Sequence, residues 1–152
     1  MRFSIPFTVL RGILFGLLIF GAVSSFAGAV IAIAANGGGM PLSYLEGSPF
    51  DSYLVPGLVL GLIVGGTQLA GAVGLVLRRN WALLASAVAG FGMLIWIFVE
   101  IAVIRQYSVL QTAYFALGGL EIILVLGMLG LVPKLVSGAA TEIVRPGTHA
   151  TD

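Results

Sequence analysis

Four long apolar runs constrain this chain more than any other feature of its sequence. They cover about residues 9–35, 56–77, 81–104 and 109–132. A helix of about 20 apolar residues crosses the hydrocarbon core of a bilayer, and each run reaches that length. We therefore predict an all-α fold, a four-transmembrane-helix bundle within residues 1–134, followed by a short tail at residues 135–152.

Composition favours the same class of protein. Apolar residues make up 59% of the chain and charged residues only 9%, whereas a soluble domain carries about 25% charged residues. The chain has no cysteine, and its one histidine, His149, lies in the tail, so we predict no cofactor and no metal site. The net charge of +1 gives no basis for nucleic-acid binding. No P-loop, G-x-S-x-G or H-E-x-x-H motif is present, so an enzymatic activity has no positive support.

The first run admits two interpretations. A charged start and small residues near Ala35 are typical of a cleaved signal peptide. The apolar core is about 24 residues long, however, whereas that of a signal peptide has about 7–15. The length favours an uncleaved first transmembrane helix.

Residues 36–55 form the only sizeable loop between the runs. The glycine run Gly37–Gly39 ends the first helix. Ser48 followed by Pro49 predicts the start of a short helix, with serine as N-cap and proline at the first position. Pro56 limits that helix, because α geometry is disfavoured at the residue before a proline. The loop is either an interfacial connector or a lid over the bundle.

The basic residues predict an orientation. With four crossings, one side of the membrane carries Arg2, Arg11, Arg78, Arg79, Lys134 and Arg145. Arg105 stands alone on the other side. The positive-inside rule then places both termini and the tail in the cytoplasm and the 36–55 loop outside, in the inner (plasma) membrane of a cell.

Glu121 lies in the middle of the fourth apolar run, where an ionised carboxylate costs at least a few kcal/mol if it faces lipid. It is twelve residues from Val109, or ~18 Å deep, and Gln68 is equally far from Pro56. No lysine or arginine matches this depth. The carboxyl group is therefore either protonated and hydrogen-bonded, to Gln68 or a serine, or exposed to a water-filled cavity.

Other polar side chains join this predicted layer or lie above it. Ser24 and Ser25 are about ten residues below the outer end of the first helix, at ~15–17 Å. A shallower level pairs Glu100 with Tyr114 on the neighbouring helix. Each has a structural alternative, since the serines can bond to backbone carbonyls and Glu100 can snorkel to the interface or pair with Arg105.

Glycines recur on the helix faces that carry these polar groups. They are Gly57, Gly61 and Gly65 in the second run and Gly118 in the fourth. Small residues at such spacings let membrane helices approach closely, so we predict helix packing at all four positions. A Gly12-x-x-x-Gly16 spacing in the first run is a weaker signal of the same kind.

The fourth helix has a defined start in the sequence. Ser108 and Gln111 have the spacing of a capping box, in which the two side chains satisfy backbone groups at a helix N-terminus. We therefore predict that this helix begins at Val109.

The layout as a whole resembles small four-helix integral membrane proteins of bacteria, including the DoxX-like group and unassigned actinobacterial proteins. Three stretches carry the resemblance, namely SPFDSYLVPG before the second helix, the basic turn RRNW, and WIFVEIAVIRQYSVLQ around the turn between helices three and four. The resemblance implies a membrane location and no particular functional residue.

Two functions follow from these patterns as hypotheses. The first is binding of a lipophilic or protonatable small molecule, or relay of protons, at the layer around Glu121. The second is an accessory subunit, with the lipid bilayer around it and a membrane-protein partner or second copy of the chain packed on its glycine faces. A membrane enzyme is the least supported alternative.

Overall fold

The computed structural model describes residues 6–131, and within that range the chain is all-helical. Its four long helices are α1 (Phe7–Ala34), α2 (Leu54–Val76), α3 (Ala82–Ile104) and α4 (Val109–Met128). They have 28, 23, 23 and 20 residues, or about 42, 35, 35 and 30 Å at 1.5 Å per residue. All four are long and apolar enough to cross a membrane, so the predicted four-helix class is confirmed. The predicted tail at residues 135–152 lies outside the described residues.

The helices follow one another around a square bundle. Each packs against the next along the chain, and α4 returns to pack against α1, so α1 faces α3 and α2 faces α4 diagonally. We call the end that holds residues 35–53 and 105–108 the loop end, and the end that holds residues 77–81 the turn end.

The core runs along one face of α1 towards the turn end. Leu10, Leu14 and Leu18 recur every four residues and are at most 2% exposed, against Ala72 of α2 and Val125 of α4. Large apolar side chains cover the outside of the bundle as well. Such a surface suits a lipid environment and would be unfavourable in water.

Helix α2 changes its winding near its middle. Leu54–Val59 is α-helical, Leu60–Gly65 is π-helical, and Gly66–Val76 is α-helical again. The sequence predicts a start at Pro56, but the helix begins two residues earlier. Pro56 occupies the third helical position, in the first turn, where its missing N–H has no intrahelical partner to lose.

Several helix contacts occur at glycines. A Cβ atom added at Gly57 or Gly61 of α2 would lie 2.8 Å from the Cβ of Ala32 or 2.9 Å from that of Ala29 in α1. A Cβ added at Gly65 would lie 3.1 Å from the ring of Phe26. A Cβ atom closer than about 3 Å to another atom would force the neighbouring atoms to move, and a close-packed interior has little free space for such a movement.

A close approach of backbone to backbone joins α3 to α4. A Cβ atom added at Gly118 would lie 2.8 Å from the carbonyl oxygen of Gly90, and one added at Gly90 would lie 2.9 Å from that of Gly118. The two backbones therefore touch at this crossing. By contrast, nothing lies within 4 Å of the corresponding positions at Gly12 and Gly16, so that spacing makes no contact within the described bundle.

The loop between α1 and α2 differs from the predicted helix at Ser48. Residues 48–53 are not helical, and a 3₁₀ helix forms earlier, at Leu42–Leu45. The Ser48 hydroxyl accepts a hydrogen bond from the backbone N–H of Phe50, 3.2 Å away, and so supports a local turn instead of a helix cap. The predicted helix start at Ser48-Pro49 is therefore wrong, because this turn uses the same side chain.

Two contacts fix the loop over the ends of α1 and α2. The backbone N–H of Tyr53 donates to Oδ1 of Asn36 at 3.1 Å, and the Tyr53 hydroxyl donates to the carbonyl of Pro41 at 3.0 Å. Gly37–Gly39 all have positive φ, which lets the chain reverse directly after α1. Burial raises the pKa of the Tyr53 phenol, and the charge of Tyr44 raises it further, so the hydroxyl remains a donor at neutral pH.

Helix α4 starts as predicted. Ser108 and Gln111 form the capping box, and the backbone N–H of Ser108 donates to Oε1 of Gln111 at 2.9 Å. Arg105 ends α3 in the left-handed conformation, with φ of 54°, which allows the short turn into α4.

Candidate functional site

A single polar pair lies in the centre of the bundle. Nε2 of Gln68 on α2 donates to Oε2 of Glu121 on α4 at 2.9 Å, across the bundle diagonal. Both side chains are 0% exposed. Of the alternatives for Glu121, the hydrogen bond to Gln68 is the one present. Gln68 lies fourteen residues after Leu54, the first residue of α2, and Glu121 lies twelve after Val109, the first residue of α4.

The other two helices enclose the pair with backbone. On α1, a Cβ atom added at Gly21 would lie 2.7 Å from Oε1 of Gln68. On α3, the carbonyl of Ala89 lies 3.5 Å from Nε2 of Gln68, and Gly90 lies against Glu121. All four helices thus contribute to this layer, and two of them do so through glycine.

One hydrogen bond does not satisfy both side chains. Oε1 of Gln68 and Oε1 of Glu121 are buried and have no hydrogen-bond partner. An ionised carboxylate accepts but cannot donate, so it leaves both oxygens unpaired, at a cost of about 1–3 kcal/mol for each buried group. A protonated carboxyl group has an O–H that can donate, which the Gln68 carbonyl requires.

The two serines predicted for this layer make no described hydrogen bond to the Gln68–Glu121 pair, and Ser24 follows the structural alternative of bonding to backbone carbonyls. The Ser24 hydroxyl donates to the carbonyls of Phe20 and Gly21 in its own helix, at 2.7 and 3.1 Å. Ser25 is buried at 4% exposure, but neither serine takes part in the described hydrogen bonds of Gln68 and Glu121. Gln68 contacts Gly21 instead, about one turn from these serines.

The predicted pairing of Glu100 with Tyr114 shows no hydrogen bond among the described residues, and each side chain has another partner. The Tyr114 ring stacks on Phe20 of α1, with ring centroids 6.2 Å apart. Glu100 accepts a long hydrogen bond of 3.4 Å at Oε1 from Nε2 of Gln111. The capping box holds Gln111 at this position, since its Oε1 is bonded to the N-cap of α4. The guanidinium of Arg105, the predicted alternative partner of Glu100, lies near Gly47 of the loop.

A cavity of about 280 Å³ lies at the loop end. Its walls come from α1, α2 and α3, and its lining includes Ala32, Gly57, Trp96 and Val99. Glu100 is the one charged residue among the described residues that line it, and the remaining lining is almost entirely apolar. The size is at the lower end of the range for small-molecule sites.

The cavity exists because α2 separates from α3 towards the loop end. Gly66–Val76 packs closely along α3, whereas Leu54–Val59 packs against α1 and makes no comparable contact with α3. The π-helical segment Leu60–Gly65 lies between these two parts and contacts both neighbours. A π-helical segment of this kind commonly bends the axis of an α-helix.

The loop closes the cavity from above. Leu45, Phe50 and Tyr53 line it, and Leu45 and Tyr53 are also buried against Ala32 of α1. The 3₁₀ helix Leu42–Leu45 packs against α3, on the side that α2 leaves open. The loop therefore roofs a space between helices, in addition to connecting them.

Sequence reasoning missed two contributors to these sites. Gln111 was assigned only to the capping box, but it also links the cap of α4 to Glu100. The π-helical segment Leu60–Gly65 shapes the cavity. The position of Gln111 beside the α3–α4 turn was a signal for the first of these.

The fold and these two sites define a class of protein. It is a multi-pass membrane protein built as a four-helix bundle, with a buried polar pair at its centre and an apolar cavity at its loop end. No family model, curated protein or solved structure matches the chain.

Proposed function

We propose that this chain is a small multi-pass membrane protein that binds a lipophilic small molecule in the cavity at its loop end. The observation that carries the proposal is the cavity itself, about 280 Å³ in volume and lined almost wholly by apolar side chains. In a lipid environment such a space fills with an apolar molecule, because an empty one forfeits contacts along its whole lining.

The way in is between α2 and α3. Val59 on α2 and Val99 on α3 both line the cavity, and they are 38% and 42% exposed. A molecule dissolved in the membrane leaflet at this level reaches the cavity by sliding between these helices. Under the loop it is shielded from water, which is the arrangement of a ligand site with a lid.

In this proposal Glu121 and Gln68 are the anchor of the bundle and do not touch the ligand. Their side chains are wholly buried and bonded to each other. We place a proton on Oε1 of Glu121, from which it donates to Oε1 of Gln68, so that acid and amide form two hydrogen bonds. A neutral carboxyl group also avoids the cost of a charge near the middle of the membrane.

The basic residues support an orientation in the membrane. Among the described residues, Arg11, Arg78 and Arg79 lie at the turn end and Arg105 lies at the loop end. By the positive-inside rule, the termini are cytoplasmic and the cavity opens in the outer leaflet of the inner (plasma) membrane. The resemblance to DoxX-like and related bacterial proteins agrees with this placement and adds no ligand.

Photolabelling tests this function. The full chain is placed in nanodiscs of zwitterionic lipid with an alkyl alcohol that carries a photoactivatable diazirine, and adducts are located by mass spectrometry. We expect adducts concentrated on lining residues such as Val99 and Trp96, above the level on the lipid-facing residue Val88. Val99→Trp should remove the excess by filling the cavity, whereas the matched exposed substitution Val88→Trp should leave it unchanged.

Two outcomes contradict the proposal. Adducts spread over lipid-facing residues with no excess in the cavity mean that the space binds nothing. A stable protein partner that purifies with the chain in mild detergent, and that protects the cavity residues from labelling, supports the accessory subunit instead.

A further inference from the structure

We propose that the ligand of the loop-end cavity is an amphiphile with a cationic head group, held by the carboxylate of Glu100. This inference rests on the proposed function, because it names the chemical class of the molecule in the same cavity.

The charge of the cavity lining favours a cation. Glu100 is the only acidic residue among the described residues that line the cavity, and none of those residues is basic. Its side chain has two hydrogen-bonding neighbours, Gln111, whose bond to Oε1 is long at 3.4 Å, and Trp96. Neither neighbour is charged, and an ammonium group would supply the opposite charge together with a charge-assisted hydrogen bond.

An aromatic side chain shares the cavity wall with the carboxylate. Trp96 lies one helical turn before Glu100 on α3, and both residues line the cavity. The face of an indole ring attracts cations, most strongly where water is excluded. A cation beside Glu100 would therefore also lie near an aromatic side chain of the same helix, whereas an anion would be repelled by the carboxylate.

The charged residues are distributed unevenly along the bundle. At the loop end, the described residues comprise the acidic Glu46, Asp51 and Glu100 and the basic Arg105. At the turn end they comprise Arg11, Arg78 and Arg79 and no acidic residue. Such an asymmetry raises the local concentration of cations at the loop end of the bundle.

The volume of the cavity limits the size of the ligand. A volume of about 280 Å³ is near the lower limit for a small-molecule site, so it holds one short chain or a small ring system and not a two-chain phospholipid. The ligand class is thus a single-chain or small-ring amine with an apolar body.

Matched photoprobes test this assignment in the full chain. The three probes share one diazirine-bearing alkyl chain and end in a primary amine, an alcohol or a sulfate, and the nanodiscs contain zwitterionic lipid. Labelling of the cavity is divided by labelling at Val88. We expect this ratio to be about tenfold higher for the amine than for the alcohol, the size of a charge-assisted hydrogen bond. The sulfate should label least.

Two variants separate the carboxylate from general effects. Glu100→Gln should lower the labelling ratio of the amine probe to that of the alcohol probe, and it should leave the ratio of the alcohol probe unchanged. Glu46→Gln removes a loop carboxylate outside the cavity. This variant should keep most of the higher labelling ratio of the amine probe over the alcohol probe. Equal labelling by amine and alcohol in the native protein overturns this inference and leaves the proposed function intact. Absence of cavity labelling by every probe overturns both.

Discussion

At the scale of single residues, the central feature is an acid and an amide that meet across the diagonal of the bundle. Gln68 and Glu121 come from helices that do not otherwise pack closely, and their bond of 2.9 Å joins α2 to α4. Hydrophobic packing alone does little to fix one helix register inside a membrane, since lipid is as apolar as the helices. A buried polar pair allows only the register in which both partners meet.

This role predicts how substitutions of the pair behave. Glu121→Leu should lower stability by about 1–3 kcal/mol, because it leaves the Gln68 amide buried and unpaired. Glu121→Gln should unfold close to the native protein, since a neutral amide replaces a neutral acid and can both donate and accept. The double variant Gln68→Leu/Glu121→Leu should recover most of the loss, because no polar group remains.

Thermal unfolding of the four proteins in one detergent gives the comparison. If Glu121→Leu unfolds at the native temperature or above, the pair does not stabilise the bundle. If Glu121→Gln is as damaging as Glu121→Leu, the group in the native protein is not a neutral acid.

At the scale of helices, sequence reasoning was most successful where a helix is regular. The class, the number of helices and the start of α4 at Val109 followed from apolar runs and a capping box. Counting residues at 1.5 Å each from the helix ends placed Gln68 and Glu121 at one depth and made Gln68 one candidate partner of Glu121. The same count placed Ser24 at that depth, whereas Gly21, about one turn deeper in α1, is the residue that contacts Gln68.

The remaining features depend on long-range contacts that no local pattern contains. The π-helical winding of Leu60–Gly65 and the separation of α2 from α3 depend on how α2 fits against α1. The cavity arises from that separation, so its position near Glu100, away from Glu121, could not be counted from helix ends. The loop turn at Ser48 was missed because its side chain can serve a turn as well as a helix cap.

The crossing of α3 and α4 offers a matched pair of neighbouring glycines. Gly118→Ala should destabilise the bundle by about 1–3 kcal/mol, because its Cβ would meet the carbonyl oxygen of Gly90 at 2.8 Å and backbone cannot move aside easily. Gly119→Ala should be neutral or slightly stabilising, because nothing lies within 4 Å of the added methyl group and alanine favours the helix.

The measurement is thermal unfolding in detergent, together with the yield of folded protein. Both variants add one methyl group to the same helix, so a general effect of bulk cancels between them. Equal unfolding temperatures for Gly118→Ala and Gly119→Ala would mean that the two helices do not touch at this glycine.

At the scale of the whole molecule, function depends on which way the bundle stands in the membrane. The cavity, its roof and Glu100 are all at the loop end, and the described arginines Arg11, Arg78 and Arg79 are all at the turn end. If the positive-inside rule holds here, ligand enters from the outer leaflet. The opposite orientation would present the same cavity to the cytoplasmic leaflet and to a different pool of small molecules.

Cysteine labelling decides between the two orientations, and the native chain contains no cysteine to confuse the result. Single cysteines are introduced at Glu46 and Tyr107 at the loop end and at Asn80 at the turn end, all of them exposed. With an impermeant thiol reagent on intact cells, we expect Glu46→Cys and Tyr107→Cys to react and Asn80→Cys to react only after the cells are opened.

The lysed sample shows that each thiol is accessible in the folded protein. Reaction of Asn80→Cys in intact cells would reverse the orientation, and reaction of Glu46→Cys without Tyr107→Cys would contradict four crossings. All four helices are long enough to cross the membrane in either orientation. The orientation that labelling finds therefore reflects the arginines at the turn end and not the lengths of the helices.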